Sequence, residues 1–210
     1  MIITIGRQLG SGGRDIGKKL SVLMGLEYYD REILGITARE SGLSRHLFEE
    51  ADEQLRKGFS AGILGPRFPF LSEGMAGFGG LSNEMLFRIQ SDVIRDLAAK
   101  HSCVFIGRCA DYILRDRADC FSVFISAGDG DRVKRILGYG DKDLSVEKVR
   151  DLMERVDKKR AAFYNYYTNK TWGSASSYHV CINSSVFGID GTVSLLKDMA
   201  AKIPQPPLPS

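Results

Sequence analysis

The 210-residue sequence lacks several features that would place it in a class at once. It has no stretch of about 18 apolar residues, so no membrane-spanning helix is predicted. It has no run of basic residues that suggests a nucleic-acid-binding face, and its formal net charge is only +3. The chain begins with the strand-like MIITI in place of a basic and apolar leader. We therefore predict a cytoplasmic protein with no DNA, RNA or membrane partner, and leave its oligomeric state open.

Patterns for disulfides and zinc are also missing. The four cysteines form no C-x-x-C pair, and the three histidines have no H-x-x-x-H spacing. A zinc site therefore has no support in the sequence. Three of the cysteines lie in or beside apolar strand-like runs, which predicts buried free thiols.

Short apolar runs alternate with amphipathic segments along the chain. The runs typical of strands are MIITI, LEYYD, CVFIG, CFSVFIS and YHVCIN. Helical spacing of apolar residues follows most of them. The alternation predicts a three-layer α/β fold with a five-stranded parallel sheet flanked by helices. The predicted helices cover residues 12–24, 31–42, 44–57, 82–100, about 129–137, about 145–167 and 188–202.

We predict one domain over residues 1–203. Within it, residues 58–80 hold seven glycines and two prolines, which is typical of an irregular mobile insert. A lid, a partner-binding loop and a plain surface loop all remain open for this insert. Residues 204–210, PQPPLPS, are predicted to form a disordered tail because proline cannot continue a helix.

A glycine-rich stretch, GSGGRD at residues 10–15, lies between the first predicted strand and the first predicted helix. Glycines let successive backbone N–H groups turn toward phosphate oxygens, and a helix N-terminus adds positive potential. Aligned with the Walker pattern G-x-x-x-x-G-K-[ST] on Gly12, the chain has Arg7 at the first glycine and Gly13 at the lysine. The pattern matches poorly, whereas the strand-loop-helix context fits. A phosphate loop and a structural turn both remain open.

Three arginines surround this stretch or the neighbouring strand end. Arg7 and Arg14 flank the loop, and a guanidinium could replace the missing lysine ammonium. Arg108 follows the third predicted strand, and ligands of open parallel sheets bind beyond the carboxyl ends of strands. The sequence therefore predicts that Arg108 faces the ligand cleft, although an arginine at a strand end could instead hydrogen-bond local carbonyls.

Two further pairs of charged residues lie on predicted helices. Arg132 and Arg135 share a helix face and could close over phosphates, although a solvated face has the same spacing. Asp157 and Arg160 form an i,i+3 pair, which is more often a surface ion pair that contributes little.

Four stretches together resemble a known family. They are ITIGRQLGSGGRDIGKKLSVLMGLEYYD, LFRIQSDVIRDLAAKHSCVFIGRCADYIL, VDKKRAAFYNYYTNKTWG and YHVCINSS. In these stretches the chain is similar to the cytidylate-kinase-like proteins, relatives of bacterial cytidylate kinase among the nucleoside monophosphate kinases. The resemblance covers roughly residues 1–200.

The resemblance implies a P-loop NTPase fold with a small helical lid. Residues from about 129 to 170 would form this lid and the helix that follows it. It implies transfer of the γ-phosphoryl group of ATP to CMP or dCMP, with Mg²⁺. By position, the phosphate loop would include Gly10, Ser11, Gly12 and Gly13, with Arg7 and Arg14 beside it. The lid would contribute Arg132 and Arg135 as catalytic residues, and the acceptor would be bound by Asp30, Arg108, Asp157 and Arg160.

The chain departs from the family pattern at three places. The family's Lys-Gly-Thr is Gly13-Arg14-Asp15, the aspartate before Gly-Arg is Ile106, and an acceptor-site arginine is Ile36. Phosphoryl transfer depends on positioning and charge neutralisation, so these changes affect rate more than binding. We predict that Arg14 and Asp15 join the catalytic residues, with Asp15 as a hard oxygen ligand for Mg²⁺.

Three functions are consistent with the sequence. The first is an ATP-dependent nucleoside monophosphate kinase in which Arg7 and Arg14 replace the Walker lysine. The second is a non-catalytic nucleotide-binding or sensor protein with a degenerate loop. The third is a small-molecule kinase with a different acceptor, because Ile36 replaces an acceptor contact.

Overall fold

The computed structural model describes residues 1–30, 83–139 and 145–204. The chain divides into two compact units, one of Met1–Arg31 with Leu97–Ser210 and one of Glu32–Asp96. The predicted helices at 31–42 and 44–57, Ile36, the insert at 58–80 and all but the first residue of the predicted tail lie outside the described residues. The single-domain prediction for residues 1–203 stays a prediction.

A five-stranded parallel sheet forms the centre of the first unit and confirms the predicted fold class. Its order is β2-β3-β1-β4-β5, so β1 is central, with β3 on one side and β4 on the other. The central strands are apolar on both faces, as expected for a sheet covered by helices. The strands are β1 (Ile2–Arg7), β2 (Glu27–Tyr29), β3 (Cys103–Ile106), β4 (Cys120–Ser126) and β5 (Val180–Asn183).

The described helices follow the predicted pattern closely. They are α1 (Gly13–Met24), α2 (Asn83–Lys100), α3 (Ala110–Ile113), α4 (Asp129–Gly138), α5 (Val146–Thr168) and α6 (Ser184–Ala200), with a short 3₁₀ helix at Ala175–Ser177. Ser145 caps α5 by accepting a hydrogen bond from the backbone N–H of Lys148 at 3.3 Å. Within the described residues, no helix is both long enough and apolar enough to span a membrane.

The last helix begins four residues earlier than the predicted start at 188. Asn183 caps it, because its side chain accepts a hydrogen bond from the N–H of Ser185 at 3.0 Å. Gly188 then breaks the helix with φ 67° and ψ 179° before the regular part continues. The α6 N-terminus is therefore a short turn that directly follows β5, and it lies at the same sheet edge as the glycine-rich loop.

Two apolar clusters pack the helices around the glycine-rich loop, which joins β1 to α1. On one face of the sheet, α1 and α6 pack over β1 through a cluster that includes Ile5, Ile16 and Leu196. A second cluster joins α4 and α5, and Leu9 of the loop itself is buried in it beside Val133. Burial of the Leu9 side chain directly before the glycine-rich stretch anchors the loop to both helices.

The other face of the sheet carries buried polar groups among aromatic rings. The rings of Phe124 and Tyr178 lie 5.1 Å apart, and the hydroxyl of Tyr164 donates a hydrogen bond to Asp111 at 2.7 Å. Burial raises the pKa of Asp111 above its ordinary value. The prediction of buried free thiols is confirmed for Cys103, Cys109 and Cys120, and it is wrong for Cys181, which is free but exposed on β5.

We expect the stability difference between Asp111→Asn and the unmodified protein to depend on pH. The folded protein binds the proton of the Asp111 carboxyl group more tightly than the unfolded chain does. Asp111 therefore stabilises the fold below pH 3.8, the ordinary pKa of the group, and this contribution is lost as pH rises through the raised pKa. Asparagine is neutral throughout and can still accept from Tyr164. Melting temperatures measured from pH 3.5 to 7 should therefore shift in favour of the variant as pH rises. Asp116→Asn, at an exposed position, controls for the loss of one charge; a difference that is constant over this pH range would contradict the expectation.

Candidate active site at the glycine-rich loop

The glycine-rich loop connects the end of β1 to the start of α1. Gly10 and Gly12 both adopt left-handed backbone conformations, with φ of 73° and 77°. A Cβ atom on Gly10 would lie 2.8 Å from the carbonyl oxygen of Arg132, and one on Gly12 would overlap Cδ1 of Ile189. Glycine is therefore required at both positions by backbone angle and by the space available.

Side chains from α4 and α6 hold three successive carbonyl groups of the loop. Arg132 Nε donates a hydrogen bond to the carbonyl of Leu9 at 2.6 Å. Arg135 Nη1 donates to the carbonyl of Gly10 at 3.1 Å. The hydroxyl of Ser184 donates to the carbonyl of Ser11 at 2.7 Å, and all three carbonyls therefore point toward these two helices.

The direction of the carbonyls determines the direction of the amides. In a planar trans peptide the N–H group lies opposite the C=O group. The N–H of Gly10 therefore points away from Arg132, and the N–H of Gly12 points away from Ser184. α1 begins directly after Gly12, which provides no side-chain cap, and the first N–H groups of a helix point toward its N-terminus. The result is a group of backbone donors in front of the loop.

A buried ion pair between α4 and α5 contacts the loop backbone. Asp157 Oδ1 accepts the N–H of Leu9 at 2.8 Å, and its other oxygen lies 2.5 Å from Arg132 Nη2. Arg132 is 8% exposed. Arg160 lies 3.9 Å from Asp157 and donates to the carbonyl of Arg7 at 3.2 Å. These charged groups contact loop backbone, and so connect α4 and α5 to the loop.

The strand end after β3 has an unusual backbone. Gly107, Arg108 and Cys109 have successive positive φ values of 75°, 61° and 55°. Non-glycine residues avoid this region, and such outliers cluster at functional sites. The Arg7 guanidinium lies directly against Gly107, in the space that a side chain there would need. Arg7 and Arg108 therefore belong to the same edge of the sheet, on the β3 side of the loop.

An ion pair connects the start of α1 to the end of β2. Arg14 Nη2 lies 2.7 Å from Asp30 Oδ2, and Asp30 is buried whereas most of the Arg14 side chain is exposed. Tyr28 is next to this pair. Burial raises the pKa of Tyr28, and the charge of Asp30 raises it further, while Arg14 opposes the rise. Asp30 thus lies with Arg14 on the β2 and β3 side of the site.

Sequence comparison identifies the family of this chain. The profile of the cytidylate kinase-like family matches residues 2–186. The chain belongs to the cytidylate kinase-like family. No curated protein matches it significantly.

Solved structures show the kinase fold of this family member. An uncharacterized protein from Eubacterium ventriosum superposes with a TM-score of 0.68 at 24% identity, over 96% of this chain and 99% of the other. Shikimate kinase from Bacteroides thetaiotaomicron superposes with a TM-score of 0.50 at 14% identity, over 96% of this chain and 98% of the other. The predicted P-loop kinase fold is therefore confirmed.

The predicted site residues of this kinase-like chain fall into two groups on either side of the loop. Toward β3 and β2 lie Arg7, Arg14, Arg108 and Asp30, among which Arg14 and Asp30 are in contact. Toward α4 and α5 lie the groups that hold the loop backbone, namely Arg132, Arg135, Asp157 and Arg160. The roles of these residues stay predictions. A catalytic role is predicted for Arg14, Arg132 and Arg135, and an acceptor-binding role for Asp30, Arg108, Asp157 and Arg160.

Asp15, the predicted ligand for Mg²⁺, lies in the first turn of α1. Its Oδ2 accepts a hydrogen bond from the hydroxyl of Tyr139 at 3.0 Å, and burial together with this bond raises the pKa of Tyr139. Among the described residues no cluster of three or more His, Cys, Asp or Glu could hold a metal ion. Mg²⁺ is commonly held by one or two carboxylates and substrate phosphates. A single carboxylate at the start of α1 fits that mode.

Ser184 was not predicted from the sequence. It lies within the stretch YHVCINSS that carries the family resemblance, yet a serine after a strand has no distinctive pattern. Its importance depends on tertiary structure, because α6 starts at Ser184 and buries it fully against the loop. The usable signal was Asn183, a good N-cap residue followed by two serines.

Proposed function

We propose that this chain transfers the γ-phosphoryl group of ATP to a nucleoside monophosphate, CMP or dCMP. The observation that supports this most is the arrangement of the loop amides. The carbonyls of Leu9 and Ser11 accept hydrogen bonds from α4 and α6, so the N–H groups of Gly10 and Gly12 point away from these helices, and α1 begins directly after Gly12. Such a group of donors at a helix N-terminus is suited to the phosphates of a nucleotide.

The residues present fit bound ATP. The hydroxyl of Ser11 is buried and has no hydrogen-bond partner in the part of the chain that the structure describes. Buried hydroxyls without a partner are rare, and phosphate oxygens would provide acceptors at this loop. We propose that Arg7 and Arg14 supply the positive charge that a Walker lysine supplies elsewhere, and that Asp15 holds Mg²⁺. When bound, Mg²⁺ would neutralise charge on the phosphates.

We propose that the acceptor binds on the β2 and β3 side of the loop. Asp30 and Arg108 follow these two strands, whereas the groups that hold the loop follow β4 and β5 or lie in α5. In-line transfer needs the donor and the acceptor on opposite sides of the moving phosphoryl group. Arg108 would bind the acceptor phosphate as a bidentate cation. The choice of a pyrimidine nucleotide rests on the family membership.

One observation favours a second candidate, a nucleotide-binding protein without transfer. Arg132 and Arg135 were expected to neutralise the transferring group, yet both donate to loop carbonyls, and Arg132 is buried. Arginines whose guanidinium groups already hold the loop backbone support nucleotide binding more directly than they support phosphoryl transfer. In this case the loop would still bind phosphates.

A coupled assay of ADP release distinguishes these functions. The protein is mixed with ATP and Mg²⁺ and with each common nucleoside monophosphate, and shikimate is included as a non-nucleotide acceptor. Turnover with CMP or dCMP is expected. Binding of ATP by calorimetry without ADP release for any acceptor would favour the sensor, and turnover only with a non-nucleotide would favour a different kinase. Failure to bind ATP would reject all three.

Arg108→Ala is expected to raise the KM for the acceptor about 10- to 100-fold, because a hydrogen bond to a charged group contributes about 1.5–3 kcal/mol. The KM for ATP should stay the same, since Arg108 lies on the β3 side of the loop. Arg115→Ala provides a control, because that arginine is exposed and contacts Tyr112. Initial rates against acceptor concentration measure both constants. An unchanged acceptor KM would remove Arg108 from the site.

A further inference from the structure

We propose that Ser184 is a positioning residue of the phosphate loop, which sets the direction of the Gly12 amide for phosphate binding. This inference rests on the proposed function, because it assigns a residue to the same site. The role comes from the contact between the first turn of α6 and the loop.

The hydroxyl of Ser184 bridges two parts of the site. It is fully buried, donates to the carbonyl of Ser11 at 2.7 Å and accepts from Nη1 of Arg135 at 3.3 Å. The guanidinium of Arg135 can only donate, so the Ser184 oxygen is the acceptor of that hydrogen bond. The Ser184 proton therefore remains available for the carbonyl of Ser11. Arg135 therefore orients Ser184, and Ser184 orients the loop.

The peptide between Ser11 and Gly12 is the part of the loop that most needs such a contact. The preceding peptide is fixed at both ends, since the carbonyl of Gly10 accepts from Arg135 and the N–H of Ser11 donates to Gln8 at 3.3 Å. The carbonyl of Ser11 is held by Ser184, and the N–H of Gly12 points to the opposite side.

Glycine makes this peptide easy to reverse. Gly12 can adopt positive and negative φ at similar cost, so rotation of the Ser11–Gly12 peptide meets little intrinsic resistance. Reversal would direct the Ser11 carbonyl toward the phosphates and turn the Gly12 N–H away. A fixed hydrogen-bond donor on the α6 side of the loop selects the peptide orientation in which the Gly12 N–H can bind an anion. Ser184 provides that donor.

The test compares Ser184→Ala with Ser177→Ala. Both serines are buried, and both hydroxyls donate to a carbonyl at 2.7 Å, but Ser177 bonds to Thr171, away from the loop. The affinities for ATP and for inorganic tripolyphosphate are measured by calorimetry on the full chain. We expect Ser184→Ala to weaken both about tenfold, and Ser177→Ala to leave both within twofold. The acceptor KM should not change in either variant.

A second readout separates positioning from a general loss of stability. The amide resonance of Gly12 in a ¹⁵N–¹H spectrum should shift on addition of tripolyphosphate to the unmodified protein, and should shift much less in Ser184→Ala. Ser184→Thr, which keeps the hydroxyl, is expected to bind more tightly than the alanine variant and is the test variant if alanine does not fold. Equal affinities in Ser184→Ala and Ser177→Ala would overturn the inference alone. Absence of ATP binding in the unmodified protein would overturn the proposed function together with it.

Discussion

Asp157→Ala is expected to lower the free energy of unfolding by about 3–5 kcal/mol, because it leaves a buried arginine without its charge partner. Arg132 lies 2.5 Å from Asp157 and is 8% exposed, so its charge has little access to water that could replace the lost carboxylate. The same change removes the acceptor of the Leu9 N–H. We therefore expect ATP affinity to fall at least tenfold along with stability, since the Leu9 backbone would no longer be fixed. Urea unfolding and calorimetry measure the two effects.

Two further variants show how the effect of Asp157→Ala arises. Glu154→Ala removes an ion pair from the same helix, but its partner Lys158 and Glu154 itself are largely exposed, so no measurable change is expected. Asp157→Asn keeps an oxygen for the Leu9 N–H and loses only the charge, so its effect should be intermediate. If Asp157→Ala raised only the acceptor KM and left stability and ATP affinity intact, the carboxylate would serve the acceptor, as the family resemblance implied.

The sheet could be predicted from the sequence because its strands are continuous apolar runs. CFSVFIS and CVFIG are too short and too apolar for exposed helices, and they form β4 and β3 to within one residue. The start of α6 was harder, because Gly188 resembles a helix boundary. Capping by Asn183 extended the helix to Ser184, and a glycine break inside the segment concealed this.

The composition of the site was predictable, whereas its contacts were not. Glycines before a helix and arginines at strand ends are local patterns, so Gly10, Gly12 and Arg108 could be selected from the sequence. The spacing of Arg132 and Asp157 could not show that they contact each other, because they are 25 residues apart on different helices. Whether an arginine faces a phosphate or a loop carbonyl depends on tertiary packing, and here Leu9 brings the loop against α4.

Gly10→Ala is expected to lower the free energy of unfolding by about 2–5 kcal/mol and to abolish measurable ATP binding. A left-handed backbone at an alanine costs about 1–2 kcal/mol. The added Cβ would also lie 2.8 Å from the carbonyl oxygen of Arg132 and 3.1 Å from its Cα, and overpacking against a helix backbone costs about 1–3 kcal/mol. Backbone atoms cannot rotate away as a side chain can, so the loop itself must move and lose its contacts with Arg132 and Arg135.

Gly25→Ala is the matched control for this change. Gly25 has φ 65°, close to the 73° of Gly10, but a Cβ there would meet nothing within 4 Å. It should therefore show only the conformational cost of about 1–2 kcal/mol, with unchanged ATP affinity. The difference between the two variants measures how firmly α4 holds the loop. If Gly10→Ala and Gly25→Ala had equal stabilities and equal ATP affinities, α4 would have moved to make room for the added Cβ. The direction of the loop amides would then not depend on contact with Arg132.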